Sequence, residues 1–418
     1  MLKEVYMITA REKQVLRELA AHQMELATTP RNQELVSLWL KHNACLDSRP
    51  TVYIEWGTFE QEVIPPLLRC ENEEARQLEY ALYANFIGQE LFGDDSVVPD
   101  YMPVGVNTHF VPFGIEVKVD HAAGGGLGHH FHEVLHDLGE DFHKLGKSTY
   151  GADMQKSQAQ LERCNLLFGD ILPAKLTGAC LYAVPTQCIV HIMSMENMLF
   201  AMYDYPELFH KMMDMLTNDY IEYFRFRETR GLILPTTRNE WVGNGSFAFT
   251  DELPGPEIAA RRQLTSHDVW GFLDSQETTG ISPDMYAEFV FPYYKRIAEQ
   301  YGMLSYGCCE AVDPIWDKCL HAMPNLRKVS ISPWCNEELM GERLRGTNIV
   351  YHRKPSPNML GTGTVLDEDA VRASTRRTLA AARGCTIEFA QRDVYTVNHD
   401  MPKVRRYVEL IRQCCEEA

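Results

Sequence analysis

The sequence predicts an α/β fold: a (β/α)8 TIM barrel preceded by an N-terminal helical extension. From residue 131 onward, short apolar runs alternate with helical patterns, which is typical of βα units around a parallel sheet. About eight strand candidates are available, and no glycine-rich dinucleotide fingerprint follows any of them. These two observations favour a closed barrel over a Rossmann sheet.

The helical extension is predicted over residues 1–48, because Val15, Leu16 and Leu19 recur among charges at roughly helical spacing. The barrel domain is predicted over residues 49–418, and it opens with a turn at Pro50 followed by a buried strand. A glycine-rich loop is predicted at 124–128. Helices are predicted near residues 72–93, 153–168, 191–203, 206–229, 283–300, 313–322, 335–344, 367–383 and 402–416, and strands near residues 52–55, 114–119, 170–173, 231–234, 268–273, 301–305, 326–332, 347–351 and 385–389.

Composition and charge narrow the classes of partner. The formal charge of −18 argues against nucleic acid, because no net cationic field would attract phosphates. No apolar run approaches the roughly 20 residues that a membrane span needs, so no membrane is expected. The 12 cysteines include adjacent pairs and do not resemble a disulfide framework, which predicts a reduced, cytoplasmic protein. A barrel with exposed helices is also compatible with a homodimer.

The turn at residues 305–317 is the first candidate site, because it places Cys308, Cys309 and Glu310 between a short apolar run and a helical pattern. In α/β folds ligands bind where strands end, and this position suits a soft metal or a reactive thiolate. Two buried structural cysteines are the plainer alternative. We add Tyr306, from the same turn, to the catalytic candidates.

Polar side chains follow several other predicted strands, and a carboxyl group with a raised pKa among them could donate a proton to a leaving group. Helix capping and ordinary loop solvation are the competing interpretations of each single residue. The predicted catalytic carboxylates are Glu55, Glu240 and Glu277, and the predicted substrate-binding residues are Tyr53, Trp56, Asp274, Gln276 and His352. Trp241, Arg353 and Lys354 lie beside them in the sequence.

Several blocks of the chain resemble the uroporphyrinogen decarboxylase superfamily, which also contains zinc-dependent methyltransferases that use corrinoid proteins. True decarboxylases of that family carry a Met-Arg-Gln-Ala-Gly-Arg segment after the first strand, whereas residues 55–60 here read Glu-Trp-Gly-Thr-Phe-Glu. Two carboxylates in place of arginines would repel a polyanionic porphyrinogen. The resemblance therefore favours the methyltransferase branch. The blocks are residues 49–57, 195–197, 204–208, 272–294, 307–317 and 396–408.

The resemblance also implies a metal centre. When Pro314 is aligned with the family pattern, Cys309 takes the place of one family cysteine and Gly307 that of the family histidine. When Pro402 is aligned, His399 takes the place of the second cysteine. Cys308 or Glu310 would supply a further ligand, so the predicted zinc ligands are Cys308, Cys309, Glu310 and His399.

The resulting hypothesis is a zinc-dependent methyltransferase that moves a methyl group between a small methylated compound, such as a methyl ether, methylamine or thiol, and a corrinoid protein. A decarboxylase-like lyase acting on a small carboxylic acid, with Arg353 and Lys354 as anchors, remains an alternative. A non-catalytic binding module is another.

A separate motif, His132-Glu133-Val134-Leu135-His136, fits the zinc metalloprotease pattern His-Glu-x-x-His. We disfavour a protease, because the third histidine of the long pattern, His143, stands one residue too late. The motif also follows a glycine-rich loop rather than lying inside an amphipathic helix. A cluster of hydrogen-bonded or substrate-facing histidines is the favoured interpretation.

Overall fold

The strands are short, and the two longest, β11 and β13, lie late in the chain. A computed structural model describes residues 8–122 and 128–418, so most of the loop predicted at 124–128 lies outside the described residues. In chain order the strands are β1 (Thr51–Ile54), β2 (Met102–Gly105), β3 (Thr108–Val111), β4 (Val119–His121), β5 (His129–Phe131), β6 (Thr149–Ala152), β7 (Ala174–Thr177), β8 (Leu181–Ala183), β9 (Trp270–Leu273), β10 (Met303–Tyr306), β11 (Leu326–Ile331), β12 (Val350–Arg353) and β13 (Ile387–Gln391).

Helices alternate with the later strands, as the sequence predicts, and their starts carry recognisable caps. Thr9 and Glu12 form a reciprocal capping box at the first helix, and the Ser282 hydroxyl accepts a hydrogen bond from the Met285 N–H at another. The helices are α1 (Ala10–Ala27), α2 (Pro30–Asn43), α3 (Glu60–Val63), α4 (Glu73–Ala84), α5 (Leu138–Asp141), α6 (Met154–Phe168), α7 (Pro185–Met193), α8 (Met195–Asp204), α9 (Pro206–Thr229), α10 (Pro256–Ala259), α11 (Pro283–Phe289), α12 (Phe291–Ala298), α13 (Asp313–Trp316), α14 (Glu337–Leu344), α15 (Asn358–Gly361), α16 (Glu368–Ala381) and α17 (Met401–Glu417).

Seven strands form one parallel sheet in the order β1-β13-β12-β11-β10-β9-β8. All four residues of β10 and of β12 are buried, because helices cover one face of the sheet and other chain segments cover the second. This confirms the predicted α/β class with a parallel sheet. In the described residues no ladder joins β1 to β8, the two edge strands.

The sheet is strongly curved around residues 241–248, which we call the inner segment. A methyl group added at Gly243 would meet the Phe272 ring of β9, and one added at Gly245 would lie 2.8 Å from the Ala390 Cβ of β13. In a flat sheet, four strand spacings would separate β9 from β13 by about 19 Å. Two residues of extended chain cannot span that distance. The sheet therefore wraps around the inner segment.

The inner segment is also where a sequence prediction is wrong. Residues 231–234 do not form a strand, and residues 231–250 contain only one isolated bridge, between Trp241 and Phe247. The Trp270 indole donates to the Ala248 carbonyl at 3.0 Å, and the Asn43 amide donates to the Phe247 and Phe249 carbonyls at 2.9 and 2.8 Å. Side-chain partners thus satisfy backbone groups that a strand would have paired along a ladder.

Two further predictions need correction. The β-like run at 114–119 instead begins with the end of a 3₁₀ turn, Pro112–Gly114, in which Phe113 has a positive φ of 55°. The helix predicted at 191–203 is two helices, because Ser194 interrupts it with a φ of 65°. The Ser194 hydroxyl then caps α8 by accepting from the Asn197 N–H at 3.3 Å.

The first helix packs in a core that is separate from that of the sheet. Val15, Leu16 and Leu19 of α1, which the periodicity predicted to face inward, pack in a cluster with residues of α4 and α6. None of the helices in residues 8–122 and 128–418 is long and apolar enough to cross a bilayer.

Candidate active site

Charged residues collect where the parallel strands end. Glu55 directly follows β1, Asp274 follows β9, Lys354 follows β12 and Arg392 follows β13, while Cys308 comes two residues after β10. Because all these strands run in the same direction, their carboxyl ends meet on one side of the sheet. We call these five residues the edge cluster.

The turn that carries the thiols is held by Glu310. One carboxylate oxygen of Glu310 accepts from the Cys308 N–H at 2.7 Å, and the other accepts from the Ser275 N–H at 3.0 Å. Gly307 has a φ of 96°, a conformation that glycine adopts readily, and the Ser330 hydroxyl donates to the Cys308 carbonyl at 2.7 Å. The turn is therefore tied to the segments that follow β9 and to β11.

The two thiols of this turn are close together and have different acidities. Their sulfur atoms are 3.4 Å apart, and Arg392 Nη1 lies 3.2 Å from Cys308 Sγ. A hydrogen bond from Cys309 lowers the pKa of Cys308 to about 7, against the effect of burial and with help from Lys354 and Arg392. The same hydrogen bond, with burial, raises the pKa of Cys309. Cys308 is therefore the group that ionises near neutral pH.

Two cations face this turn. Lys354 is buried and donates to the carbonyls of Gly307 and Cys308 at 3.3 and 3.2 Å, and burial lowers its pKa. Arg392 Nε lies 3.1 Å from Glu55 Oε2. Arg353, predicted as an anchor with Lys354, instead points to the other side of the sheet and pairs with Glu337 at 2.7 Å. Only one residue of that cationic pair belongs to the site.

Three carboxyl groups at this edge are poised to carry a proton. Burial raises the pKa of Asp274 well above its usual range, and the charges of Glu310 and Cys308 add to the rise. Asp274 is 1% exposed, and its Oδ1 has no hydrogen-bond partner in the described structure. Burial also raises the pKa of Glu55 and of Glu277. The Glu277 carboxylate accepts a hydrogen bond from the Thr186 hydroxyl at 2.8 Å. Asp274 and Glu277 can therefore remain protonated closer to neutral pH than ordinary carboxylic acids.

A cavity of about 610 Å³ opens beside these groups. Cys309 and Glu277 reach it from the edge, while Val190, Met195 and Trp334 provide an apolar wall. Trp334 is 77% exposed, so one side of the cavity is open to solvent. The remaining lining residues are Gln276, Thr279 and Ala311. Its volume suits a small molecule.

The other predicted site residues lie away from this cavity. Tyr306 is fully buried on the helix side of the sheet, where its hydroxyl bonds to Ser275 and Tyr286 at 2.7 and 2.6 Å. His352 lies deeper on the concave face, and burial lowers its pKa to about 3. Tyr53 packs at the same depth against Phe247 of the inner segment, with ring centres 5.1 Å apart. None of these three side chains lines the cavity.

Glu240 and Trp56 are likewise outside the edge cluster. Glu240 follows no strand, and its Oε2 accepts from the Arg238 N–H at 2.8 Å. Burial raises its pKa, but the groups that act on its charge are Arg238 and Tyr101 rather than those of the thiol turn. Trp56 packs beside Tyr80, with ring centres 6.4 Å apart. Of the predicted site residues, the structure places Glu55, Asp274, Gln276, Glu277 and the thiol turn at this edge of the sheet, together with Arg392, which the sequence analysis did not name.

The predicted zinc ligands do not form a metal site in the described residues, although Cys308, Cys309 and Glu310 share one turn. His399 is exposed, and its backbone N–H donates to Glu62 at 2.6 Å. Both oxygens of Glu310 already accept backbone N–H groups, and a guanidinium stands against Cys308. Within the described ranges, no three residues of the types His, Cys, Asp and Glu are placed to hold a metal ion. This donor set does not fit the tetrahedral site that the resemblance implied.

The His-Glu-x-x-His motif also lacks the geometry of a protease. Residues 132–136 follow β5 and are not helical, so His132 and His136 do not share a helix face. His132 Nε2 instead lies 2.7 Å from Asp120 Oδ2, across the hairpin of β4 and β5. Because the zinc arrangement of such proteases depends on helical spacing, the motif arises here from an unrelated structure.

Comparison with known proteins gives one structural likeness and no sequence match. No protein family matches the sequence, and no curated protein does. Among solved structures, a methyltransferase from Methanosarcina mazei is similar, with 12% sequence identity and a TM-score of 0.49. The likeness covers 92% of this chain and 98% of that chain. Its name describes the Methanosarcina protein, so the function of this chain is argued from its own residues.

Proposed function

We propose that this chain is a methyltransferase of (β/α)8 architecture that removes a methyl group from a small methylated compound bound in the edge cavity. The observation that carries the proposal is Asp274, a buried carboxyl group with a raised pKa and an unpartnered oxygen, which lies within electrostatic reach of Glu277 in the lining of a cavity of suitable size. The sequence blocks that resemble the corrinoid-linked methyltransferases supply the class of reaction.

Methyl transfer from an ether, amine or thioether needs an acid, because the leaving heteroatom otherwise departs as a strong base. In the proposed step the bond between carbon and heteroatom breaks, and the heteroatom keeps the electron pair. Asp274 gives that heteroatom a proton, and Glu277 stands close enough to influence the charge of Asp274. A nucleophile, which is the second reactant, supplies the electron pair that forms the new bond to the methyl carbon.

The cations at the edge compensate the negative charge that this step leaves behind. Once Asp274 has lost its proton, the site holds its carboxylate together with the Cys308 thiolate. Lys354 contributes a favourable charge to both groups, and Arg392 contributes one to Cys308. Fixed charges of this kind stabilise a developing anion most effectively where water is excluded.

The proposed second reactant is a reduced corrinoid carried by a partner protein, as the resemblance suggests. The solvent-open side of the cavity at Trp334 gives such a reactant access to a methyl group held inside. No step is assigned to zinc, because the predicted ligands do not form a metal site. The small methylated compound remains defined by class: an ether, amine or thioether.

The test is demethylation of a panel of isotopically labelled methyl ethers, methylamines and methyl thioethers, with reduced cobalamin as methyl acceptor. Asp274→Asn should lower kcat by about 10²–10⁴-fold, because it removes the proton donor but keeps the shape of the side chain. The control is Asp284→Asn, which changes an 82% exposed carboxylate on neighbouring α11 and should leave kcat unchanged. Full activity of Asp274→Asn on a compound that the wild type demethylates would disprove the assigned role.

A carboxylic acid lyase is the second candidate, and the pairing of Lys354 with Arg392 at one edge favours it. Two cations near a cavity could anchor a small carboxylate. The two functions differ in the product, since a lyase releases CO₂ without a methyl acceptor. CO₂ release from small carboxylic acids, with no demethylation across the panel, would replace the first proposal by the second.

A further inference from the structure

Cys308 and Cys309 form the closest pair of sulfur atoms at the edge of the sheet. Their Sγ atoms are 3.4 Å apart, and both are free thiols. Cys309 is only partly buried and lines the edge cavity, whereas Cys308 lies just behind it and is 5% exposed. A ligand that entered the cavity would reach Cys309 first and Cys308 second.

The separation of the two sulfur atoms, which is a hydrogen-bond contact between free thiols, is close to the spacing that one kind of ligand requires. Two bonds of about 2.3 Å that meet at a tetrahedral angle, as around zinc, place their sulfur atoms about 3.8 Å apart. Bonds of about the same length that meet near a right angle place them about 3.3 Å apart. Trivalent arsenic and antimony keep a lone pair and bind at angles close to a right angle. The observed separation is nearer to the second geometry.

The number of donors points the same way. Both oxygens of Glu310 are used by backbone N–H groups, and His399 hydrogen-bonds at Glu62, away from the thiol turn. The pair of thiols thus suits a ligand that needs two protein atoms and brings its own third substituent. The apolar wall of Val190, Met195 and Trp334 lines the same cavity as Cys309 and would receive an organic substituent.

We propose that Cys308 and Cys309 chelate thiophilic trivalent metalloid compounds, and organic arsenicals in particular, with the organic group lying against Trp334. Two arsenic–sulfur bonds form and the arsenic–oxygen bonds of the free compound break. The two thiol protons leave with that oxygen as water, and no electron is exchanged, so no oxidant or reductant is needed. The inference concerns binding and does not rest on methyl transfer.

The chain contains its own matched control, the second adjacent pair Cys414-Cys415. These residues lie on α17, where consecutive side chains point in different directions around the helix. Cys414 is buried and Cys415 is partly buried, and neither lines the edge cavity. Adjacency in sequence is the same in both pairs, so a difference in chelation would come from the geometry of the turn.

The experiment is titration of the intact protein with phenylarsine oxide in the presence of excess monothiol, which removes singly bonded adducts. Native mass spectrometry then counts the adducts that survive. The wild type should keep one adduct, which a dithiol reverses. Cys309→Ser and Cys308→Ser should each weaken its retention at least tenfold, while the Cys414→Ser/Cys415→Ser variant should match the wild type.

Two results would overturn the proposal: no surviving adduct on the wild type, or an adduct that persists in Cys309→Ser. Unfolding of a variant is checked by circular dichroism, and Cys309→Ala gives a second substitution at this partly exposed position. Since the readout is a mass rather than turnover, loss of chelation does not bear on the proposed demethylation. Loss of demethylation likewise does not bear on chelation.

Discussion

The concave face of the sheet carries two clusters of buried charged residues: the edge cluster and a second cluster deeper in the sheet. The pKa values of their carboxyl groups are shifted in opposite directions. The deeper one, which we call the inner charge cluster, consists of His42, Lys328, His352 and Glu388. Its Lys328 and Glu388 are fully buried and lie 2.9 Å apart. His352 and Lys354 are two residues apart on or just after β12, so one strand contributes to both clusters.

The difference between the clusters is the pairing of their carboxyl groups. Burial alone would raise the pKa of Glu388, but Lys328 and the two histidines overcome it, and the pKa is lowered. The pKa of Asp274 is raised instead, because burial is reinforced by the negative charges of Glu310, Cys308 and Glu277. Asp274 also lies near a cavity, whereas residues of the inner segment cover Lys328. A buried carboxyl group can act as an acid only where neighbouring cations do not fully stabilise its charged form. A ligand must also be able to reach it.

The largest effect is expected when the Glu388 carboxylate of the inner charge cluster is removed. Glu388→Gln leaves Lys328 buried beside a neutral amide, which should lower the free energy of unfolding by about 3–5 kcal/mol. Urea denaturation measures the change. The matched variant Asp274→Asn removes a carboxyl group that is not stabilised by its surroundings, and it should cost much less. Similar losses in both variants would contradict the assigned difference.

The two clusters should also respond oppositely to pH. An acid whose pKa is raised on folding stabilises the fold at low pH, and this stability is lost as the pH rises through the folded pKa. The stability of Asp274→Asn relative to the wild type should therefore increase with rising pH. Glu388 has a lowered pKa, so its contribution is present at neutral pH and is lost as the pH falls. Urea denaturation across a pH series should reveal both trends, and parallel curves for Asp274→Asn and the wild type would refute the first.

A smaller effect should appear in the reactivity of Cys308. Alkylation by iodoacetamide should rise with a midpoint near pH 7, since the pKa of this thiol is lowered to about 7. Lys354→Met removes one neighbouring cation and should slow alkylation at pH 7 by up to about tenfold. Peptide mass mapping identifies the modified cysteine. Lys318→Met, at an exposed lysine paired with Asp284, is the control, and it should leave the rate unchanged.

The smallest effect is expected at His399, which the resemblance assigned to zinc. Its ring is exposed, and the bond to Glu62 comes from its backbone N–H. His399→Asn also suits the positive φ of 57° at this position. The free energy of unfolding should change by less than about 0.5 kcal/mol, and zinc content per chain should equal that of the wild type. A fall in bound zinc would restore His399 as a ligand.

Much of the edge cluster could be predicted, because a polar residue directly after an apolar run identifies the end of a buried strand. Asp274, Glu55 and the thiol turn were found in this way. Arg392 was missed because the last strand was predicted to end at 389, whereas β13 continues to Gln391. A shift of two residues in a boundary decides which side chain stands at the edge.

Side-chain direction was harder to predict than strand position. The strand predicted at 347–351 is found at Val350–Arg353, which places His352 within the concave face and Arg353 on the helix side. A change of one residue exchanges the two faces, and the apolar pattern alone did not resolve it. The prediction for His399 rested on an alignment at Pro402. Such an alignment fixes a position in the sequence but not the location of the side chain in space.

The glycines of the inner segment have a consequence for how tightly the hollow of the sheet is filled. Gly243 and Gly245 let this segment lie close against strands β9 and β13. A side chain at either position would meet the Phe272 ring or the Ala390 Cβ, and both positions have a positive φ. Bare backbone therefore plugs the interior of the sheet at these two points, and any larger residue there would have to push the plug outward.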